Sequence, residues 1–125
     1  MLLDTCALLW LASGGGELSE VALEQINISP IVCISAISGF EISLKYRKGK
    51  LELPALPDEW LRVVLEHHDI SVISLDLDIC VATNDLPFLH KDPCDRLIIA
   101  TAKHHNFPIV TGDSVFEEYG IEIIS

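Results

Sequence analysis

Five short apolar runs, at 1–3, 31–34, 70–75, 107–110 and 121–124, alternate with stretches of helical spacing, and no tight hairpin signal joins any two of them. Strands that cannot turn straight back must be linked by crossovers, and helical crossovers cover both faces of a mostly parallel sheet. The run Ile31-Val32-Cys33-Ile34 is too short for a helix and rich in β-branched residues, as a buried strand should be. The expected fold is therefore α/β, a three-layer α/β/α sandwich around a mostly parallel central sheet.

The intervening helices have identifiable starts and stops. Thr5 to Ala12 carries Leu8, Leu9 and Leu11 and is halted by Ser13-Gly14-Gly15-Gly16. Ser19 is placed to cap a helix through Val21, Leu23 and Ile26, and Ser35 or Ser38 to cap one that Gly49 ends. Further helices are expected from about Asp58 to His67, from Asp76 through Ala82, over Arg96–His105 behind Asp92-Pro93-Cys94-Asp95, and over Ser114–Tyr119. The stretch Asn84 to Lys91 reads as a polar, proline-containing loop. The helix over 96–105 is small or apolar nearly all round, which places it at the centre of the fold.

At 125 residues the chain fits one compact domain, 1–125, and with 50% of its residues hydrophobic it has the apolar surface for a core. Cys6, Cys33, Cys80 and Cys94 lack C-x-x-C spacing, which favours a reducing cytoplasm over a disulfide framework. The first residues lack a basic n-region, and no apolar run nears the ~18–20 residues of a membrane span, so no signal peptide and no membrane role is expected. Eight Lys and Arg against nineteen Asp and Glu give a net charge of −11, a field that repels phosphate backbones and argues against broad, non-specific nucleic-acid binding.

In open parallel sheets, ligand sites gather at the carboxyl ends of the strands. Asp4 directly follows the first strand and Asp113 lies three residues past Val110, so both carboxylates should project from one rim. Glu41, on an otherwise apolar helix, and Asp95, in the first turn of the most buried helix, can face the same rim. Each acid also has a plainer explanation. Asp4 and Asp113 are placed as helix caps, and Asp95 as an acid in a positive first turn behind Asp92. Glu41 is spaced to pair with Lys45, a contact worth ~0.3–0.5 kcal/mol. Separate caps would not need to share a rim, however, and four carboxylates in a partly dry cleft repel one another unless a divalent cation neutralises them.

Several motifs carry a resemblance that runs nearly the whole chain. Leu2-Leu3-Asp4-Thr5 precedes Ala7-Leu8-Leu9-Trp10, Ser35-Ala36 leads to Glu41-Ile42-Ser43-Leu44-Lys45, and Gly49-Lys50-Leu51-Glu52-Leu53-Pro54 follows. Then come His90-Lys91-Asp92-Pro93-Cys94-Asp95-Arg96-Leu97-Ile98-Ile99-Ala100 and Thr111-Gly112-Asp113. Together these resemble the PIN-domain nucleases, and most closely the VapC-like toxins of bacterial and archaeal toxin-antitoxin modules. The resemblance implies a metal-dependent endoribonuclease hydrolysing RNA phosphodiester bonds, with Asp4, Glu41, Asp95 and Asp113 as the catalytic acidic cluster around Mg²⁺ or Mn²⁺. It also implies a structured RNA substrate such as tRNA or rRNA, a cognate small antitoxin and a homodimer. Carboxylates and waters suit such hard cations better than His or Cys. Asp4 and Asp95 are the first choices as direct ligands, with Glu41 and Asp113 binding a second ion, bridging through water or positioning the nucleophile.

Other residues near the acids are candidates for substrate contact. Thr5 and Ser114 stand beside Asp4 and Asp113, where they can hydrogen-bond ligand or phosphate or equally serve as helix-start hydroxyls. Half the basic residues, Lys45, Arg47, Lys48 and Lys50, fall in one stretch after Glu41. Lys45 and Lys48 are the candidates to guide an RNA backbone, and Arg47 and Lys50 read as a solvated face. Arg96, next to Asp95, is a candidate partner for phosphate or an inhibitor carboxylate. Two positions depart from the family pattern: Cys6 stands where His is usual, and Gly39-Phe40 where a bulkier pair with Trp is common. Gly39 should loosen its helix by ~1 kcal/mol relative to Ala. Trp10 and Trp60 read as core or interface residues, and the all-round apolar first helix offers a surface to a symmetric partner.

Rival functions fit less well. A receiver-like, Mg-binding signalling domain would want an acidic pair after its first strand and a lysine after a late one, where Asp4 is alone and Thr111-Gly112-Asp113 stands instead. An aspartyl phosphatase would want a second acid at Cys6. A catalytically inactive PIN-fold binding module is the remaining alternative, and the presence of all four acids argues against it.

Overall fold

In a computed structural model, which describes residues 1–125, five strands form one sheet. They are β1 (Leu2–Leu3), β2 (Cys33–Ser35), β3 (Ser71–Ile73), β4 (Ile109–Val110) and β5 (Ile123–Ile124), in the order β3-β2-β1-β4-β5. Every pairing is parallel, with Leu3 opposite both Ile34 and Val110. Each expected run contains a strand, cut short where the next cap begins. Ser35 ends β2 and at once accepts the Ile37 N–H as a helix cap, at 3.2 Å.

The helices are α1 (Thr5–Ala12), α2 (Glu20–Ile28), α3 (Ala36–Arg47), α4 (Pro57–His67), α5 (Leu77–Thr83) and α6 (Pro93–His105), with a 3-10 helix over Ser114–Tyr119. Helix α6 starts three residues earlier than its apolar pattern suggests. Asp92 accepts the Cys94 N–H at 2.9 Å, and Pro93 fills the first helical position, where its missing N–H costs nothing. Helix α3 gives way at Lys48 to Gly49, whose φ of +72° suits a residue without a Cβ.

Alternation along the strands sorts the core into two layers. Leu3, Ile34 and Val110 pack with Ala7, Leu8 and Leu11 of α1, Ile26 of α2, Ile42 of α3 and Val64 of α4. Their strand neighbours Leu2, Cys33 and Ile109 pack with Ile98, Ile99 and Ala102 of α6 and with Phe116 and Tyr119. The result is the expected three-layer sandwich, and α6 is central as its composition suggests. Helix α1 buries Ala7, Leu8 and Leu11 under this chain's own helices, while Leu9, Trp10 and Ala12 stay partly exposed and keep some apolar surface open on it. The exposed large apolar side chains lie elsewhere, among them Phe40 of α3, Leu77 and Val81 of α5, and Phe88. No helix is long and apolar enough to cross a membrane.

From the central β1 the chain builds β2 and β3 on one side before returning to place β4 and β5 on the other. This reversal opens a crevice beyond the carboxyl ends of β1 and β4. Asp4 and Asp113 follow those two strands.

Gly39 tests how tightly α3 is packed. A Cβ there would meet only Leu61 Cδ1, at 3.8 Å, and the glycine's φ is not left-handed. Gly39→Ala is therefore expected to stabilise the protein by ~0.5–1 kcal/mol in urea unfolding, by restricting the unfolded chain. A loss of stability would contradict this account of α3.

Candidate active site

The backbone sets two of the four carboxylates. The Asp4 N–H bonds to the Val110 carbonyl at 3.1 Å, extending the β1–β4 ladder by one residue, and Asp4 Oδ1 then accepts the Ala7 N–H at 2.8 Å to cap α1. Asp113 mirrors it after β4: its N–H donates to Thr111 Oγ1 at 3.0 Å, and its Oδ1 accepts the Val115 N–H at 3.0 Å. The other two carboxylates come from helices. Glu41 reaches the rim because α3 leaves β2 without a linker, and it is held by Thr5 Oγ1, which donates to Oε1 at 2.7 Å, and by Lys45 Nζ, 3.2 Å from Oε2. Asp95 lies in the first turn of α6. The capping and pairing roles read from sequence coexist with the shared rim, because they aim the carboxylates at it.

All four acids line one cleft of about 230 Å³, together with Asp92, Lys45, Thr5, Cys6, Trp10 and Gly112. Lys45 is the only cation among these lining residues, against five acids. Desolvation pushes Asp4 above the usual carboxylate range, and Glu41 and Asp113 add to it, while the Thr111 hydroxyl and the Ala7 N–H oppose it. Desolvation and then the charge of Asp92 raise Asp95 to about 7, with Glu41 and Asp4 adding and His90 opposing. Burial and the nearby acids lift the Cys94 thiol to about 11 and raise Cys6 as well. Burial alone would lower Lys45, but its bond to Glu41 outweighs this and raises it. Oxygen donors converging from four elements with this excess of negative charge fit a hard divalent cation such as Mg²⁺ or Mn²⁺.

The remaining sequence candidates divide. Lys45 is at the cleft. Thr5 is too, but it is buried, with its hydroxyl shared between Glu41 and Ser38 at 2.9 Å, so it positions Glu41. Lys48 caps the end of α3, and neither it nor Ser114 lines the cleft. Arg96 is a correction. It is 6% exposed and turns inward, donating to the Thr83 and Pro87 carbonyls at 3.1 and 3.0 Å, so it is no contact for phosphate or inhibitor. Adjacent residues on a helix project about 100° apart, which is why Arg96 and Asp95 part company.

Sequence reasoning missed His90 and Trp10. His90 Nε2 lies 3.0 Å from Asp113 Oδ2 and 3.1 Å from Asp95 Oδ2. It belongs to a segment without strand or helix periodicity, so its proximity to Asp92 and Asp95 in sequence was the only signal. Trp10 forms a cleft wall, and its ring would come within 2.9 Å of a Cβ at position 112. The glycine of Thr111-Gly112-Asp113 hints at such a close approach.

Comparison with known proteins gives concordant results. The PIN domain family model matches residues 1–122. Ribonuclease VapC22 of Mycobacterium tuberculosis is 29% identical over 114 residues, 90% of this chain and 86% of that protein. Among solved structures, VapBC2 from Rickettsia felis bound to a promoter DNA fragment aligns at a TM-score of 0.71 and 15% identity, over 99% of this chain and 98% of that one. DNA-bound VapBC from Salmonella typhimurium aligns at 0.70 and 23% identity, over 98% and 95%.

The raised pKa of Asp95 has a definite sign in stability. Its protonated form is favoured by folding, so its contribution is full below the unfolded value of ~3.9 and is lost as pH rises through about 7. In the metal-free protein, the melting temperature of Asp95→Asn relative to wild type is expected to rise steadily from pH 4 to pH 7. Calorimetry in chelator checks this, and a constant difference across that range would contradict it.

Proposed function

The chain belongs to the PIN-domain family, and from that premise we propose that it is a metal-dependent endoribonuclease acting as the toxin of a two-protein toxin-antitoxin module. The observation that carries the reading is the meeting of Asp4, Glu41, Asp95 and Asp113 in one cleft with a single lysine to offset them. Asp4 and Asp95 would hold Mg²⁺ or Mn²⁺ directly, and Glu41 and Asp113 would serve a second ion, a bridging water or the nucleophile. When bound, the cation supplies an acidified water and stabilises the leaving oxygen of the phosphodiester.

The chain's own groups do the rest. The Ala7 and Val115 N–H groups fix Asp4 and Asp113, and Thr5 fixes Glu41. The Glu41–Lys45 pair keeps an ammonium at the cleft, where an arriving phosphate meets it. Away from this point the net charge of −11 repels RNA, so binding is confined to a selected, structured target such as a tRNA or rRNA, approached over Lys45 and Lys48.

Partners follow from the exposed apolar side chains. Phe40 and Leu44, 58% and 40% exposed, lie one turn apart on α3 and flank Glu41 and Lys45. They suit an amphipathic antitoxin segment that carries a basic residue into the cleft. Leu77 and Val81, one turn apart on α5, add an apolar patch suited to a homodimer contact. Four free cysteines suit a reducing cytoplasm. The VapC22 ribonuclease and the VapBC complexes support this assignment.

The direct test is cleavage of a panel of cellular RNAs by wild type and Asp4→Asn with Mg²⁺, Mn²⁺ or EDTA. Cleavage is expected only for wild type with metal, and activity that survives both the substitution and chelation refutes the mechanism. In cells, induced wild type should arrest growth and Asp95→Asn should relieve the arrest. Equal toxicity would remove the nuclease from the toxin's action.

A further inference from the structure

We propose that His90 is a positioning residue whose Nε2–H, fixed in one tautomer by the backbone, orients Asp113 beside Asp95 and does not itself ligate the cation. By composition, His90, Asp95 and Asp113 look like a mixed nitrogen and oxygen metal site, with ligand atoms all within 4.8 Å of one another. The hydrogen bond on the far side of the ring decides otherwise. His90 Nδ1 accepts the Asp92 N–H at 3.1 Å, and a ring nitrogen that accepts carries no proton. The proton of the neutral ring is then on Nε2, which faces Asp113 Oδ2 at 3.0 Å and Asp95 Oδ2 at 3.1 Å. Ligation through Nε2 would move the proton to Nδ1 and set it against the Asp92 N–H, donor to donor.

The ring is held in place although its segment has no regular secondary structure. Tyr119 Oη accepts the N–H groups of Leu89 and His90 at 3.1 and 2.8 Å and donates to the Pro87 carbonyl at 2.9 Å. The inward-turned Arg96 binds the carbonyls of the same segment, and Phe116 meets the imidazole edge-on at 5.7 Å. Asp95 and Asp113 come from different elements and repel each other; the Nε2–H donates to Asp113 Oδ2 and also lies 3.1 Å from Asp95 Oδ2, so one positive bond dipole faces both carboxylates. With Val115 N–H on Oδ1 and His90 on Oδ2, both Asp113 oxygens are oriented. The carboxylate pair is thereby set before any cation arrives, and hydrogen bonds of this kind typically raise metal affinity ~10–100-fold.

The inference rests on the proposed metal-dependent nuclease for what the pair holds, but the tautomer can be read without metal. Long-range ¹H–¹⁵N spectra of the full-length, metal-free protein with the ring neutral should show His90 protonated at Nε2, and a proton on Nδ1 overturns the proposal. Mn²⁺ affinity by calorimetry should fall ~10–100-fold in His90→Ala and return largely in His90→Gln, whose amide N–H can replace the donor. Tyr119→Phe, which leaves the ring and both acids in place, should weaken Mn²⁺ binding in the same direction. Wild-type affinity in His90→Ala, or no recovery in His90→Gln when thermal unfolding shows it folded, counts against the proposal. Failure of wild type to bind Mn²⁺ would sink the metal-nuclease reading, while the tautomer would still decide the His90–Asp113 hydrogen bond.

Discussion

The central strand is two residues long, and the sheet, both core layers and the acidic cleft depend on how Leu2 and Leu3 are held. Leu2 donates to the Pro108 carbonyl and the Met1 carbonyl accepts from Cys33, both at 2.9 Å, while Asp4 continues the ladder to Val110. Leu2 fills one layer and Leu3 the other, each fully buried. A slip of one residue would exchange the two side chains between layers and carry Asp4 off the rim. So short a strand specifies its register because both of its faces are buried.

The cleft is an electrostatic problem solved locally. Four carboxylates would spread apart if only their charges acted, since like charges repel and burial penalises Asp4 and Asp95 further. Backbone N–H groups at helix starts hold an oxygen of Asp4 and of Asp113, a threonine hydroxyl and a lysine hold the two oxygens of Glu41, and an imidazole holds the second oxygen of Asp113. The bonds to Asp4 and Asp113 stabilise helix starts and orient the acids at the same time, so a capping role and a place on the shared rim are compatible. The remaining imbalance is visible in the raised Asp4 and Asp95, and a bound cation would relieve it.

Sequence pattern made the sheet and the acids legible because both are written locally: strands as short apolar runs, Asp4, Asp95 and Asp113 as residues near strand ends and helix starts, and Glu41 as an acid on an otherwise apolar helix. Features set by distant contacts were not legible. Thr5 looked free to meet substrate until Ser38 and Glu41, more than thirty residues away, claimed its hydroxyl. Lys48 shares a helix face with Glu41, but seven residues at ~1.5 Å each carry it about 10 Å along the axis. His90 lay in a segment whose conformation comes from Tyr119 and Arg96, and nothing in its own neighbourhood in sequence predicts that anchoring.

Trp10 is seated between two glycines. A Cβ at Gly112 would sit 2.9 Å from its Cη2, and one at Gly16 would sit 3.0 Å from its Cβ. The turn that ends α1 and the loop that carries Asp113 therefore bear on opposite sides of one indole. The reach of that ring is recorded in the sequence as the missing side chain at 112, whereas the glycine at 16 answers to the backbone, with a φ of +48° and Trp10 Cα 3.2 Å from where its Cβ would sit. A smaller residue at 10 would therefore open the cleft wall beside Gly112 alone, while Gly16 would stay a glycine for its left-handed φ.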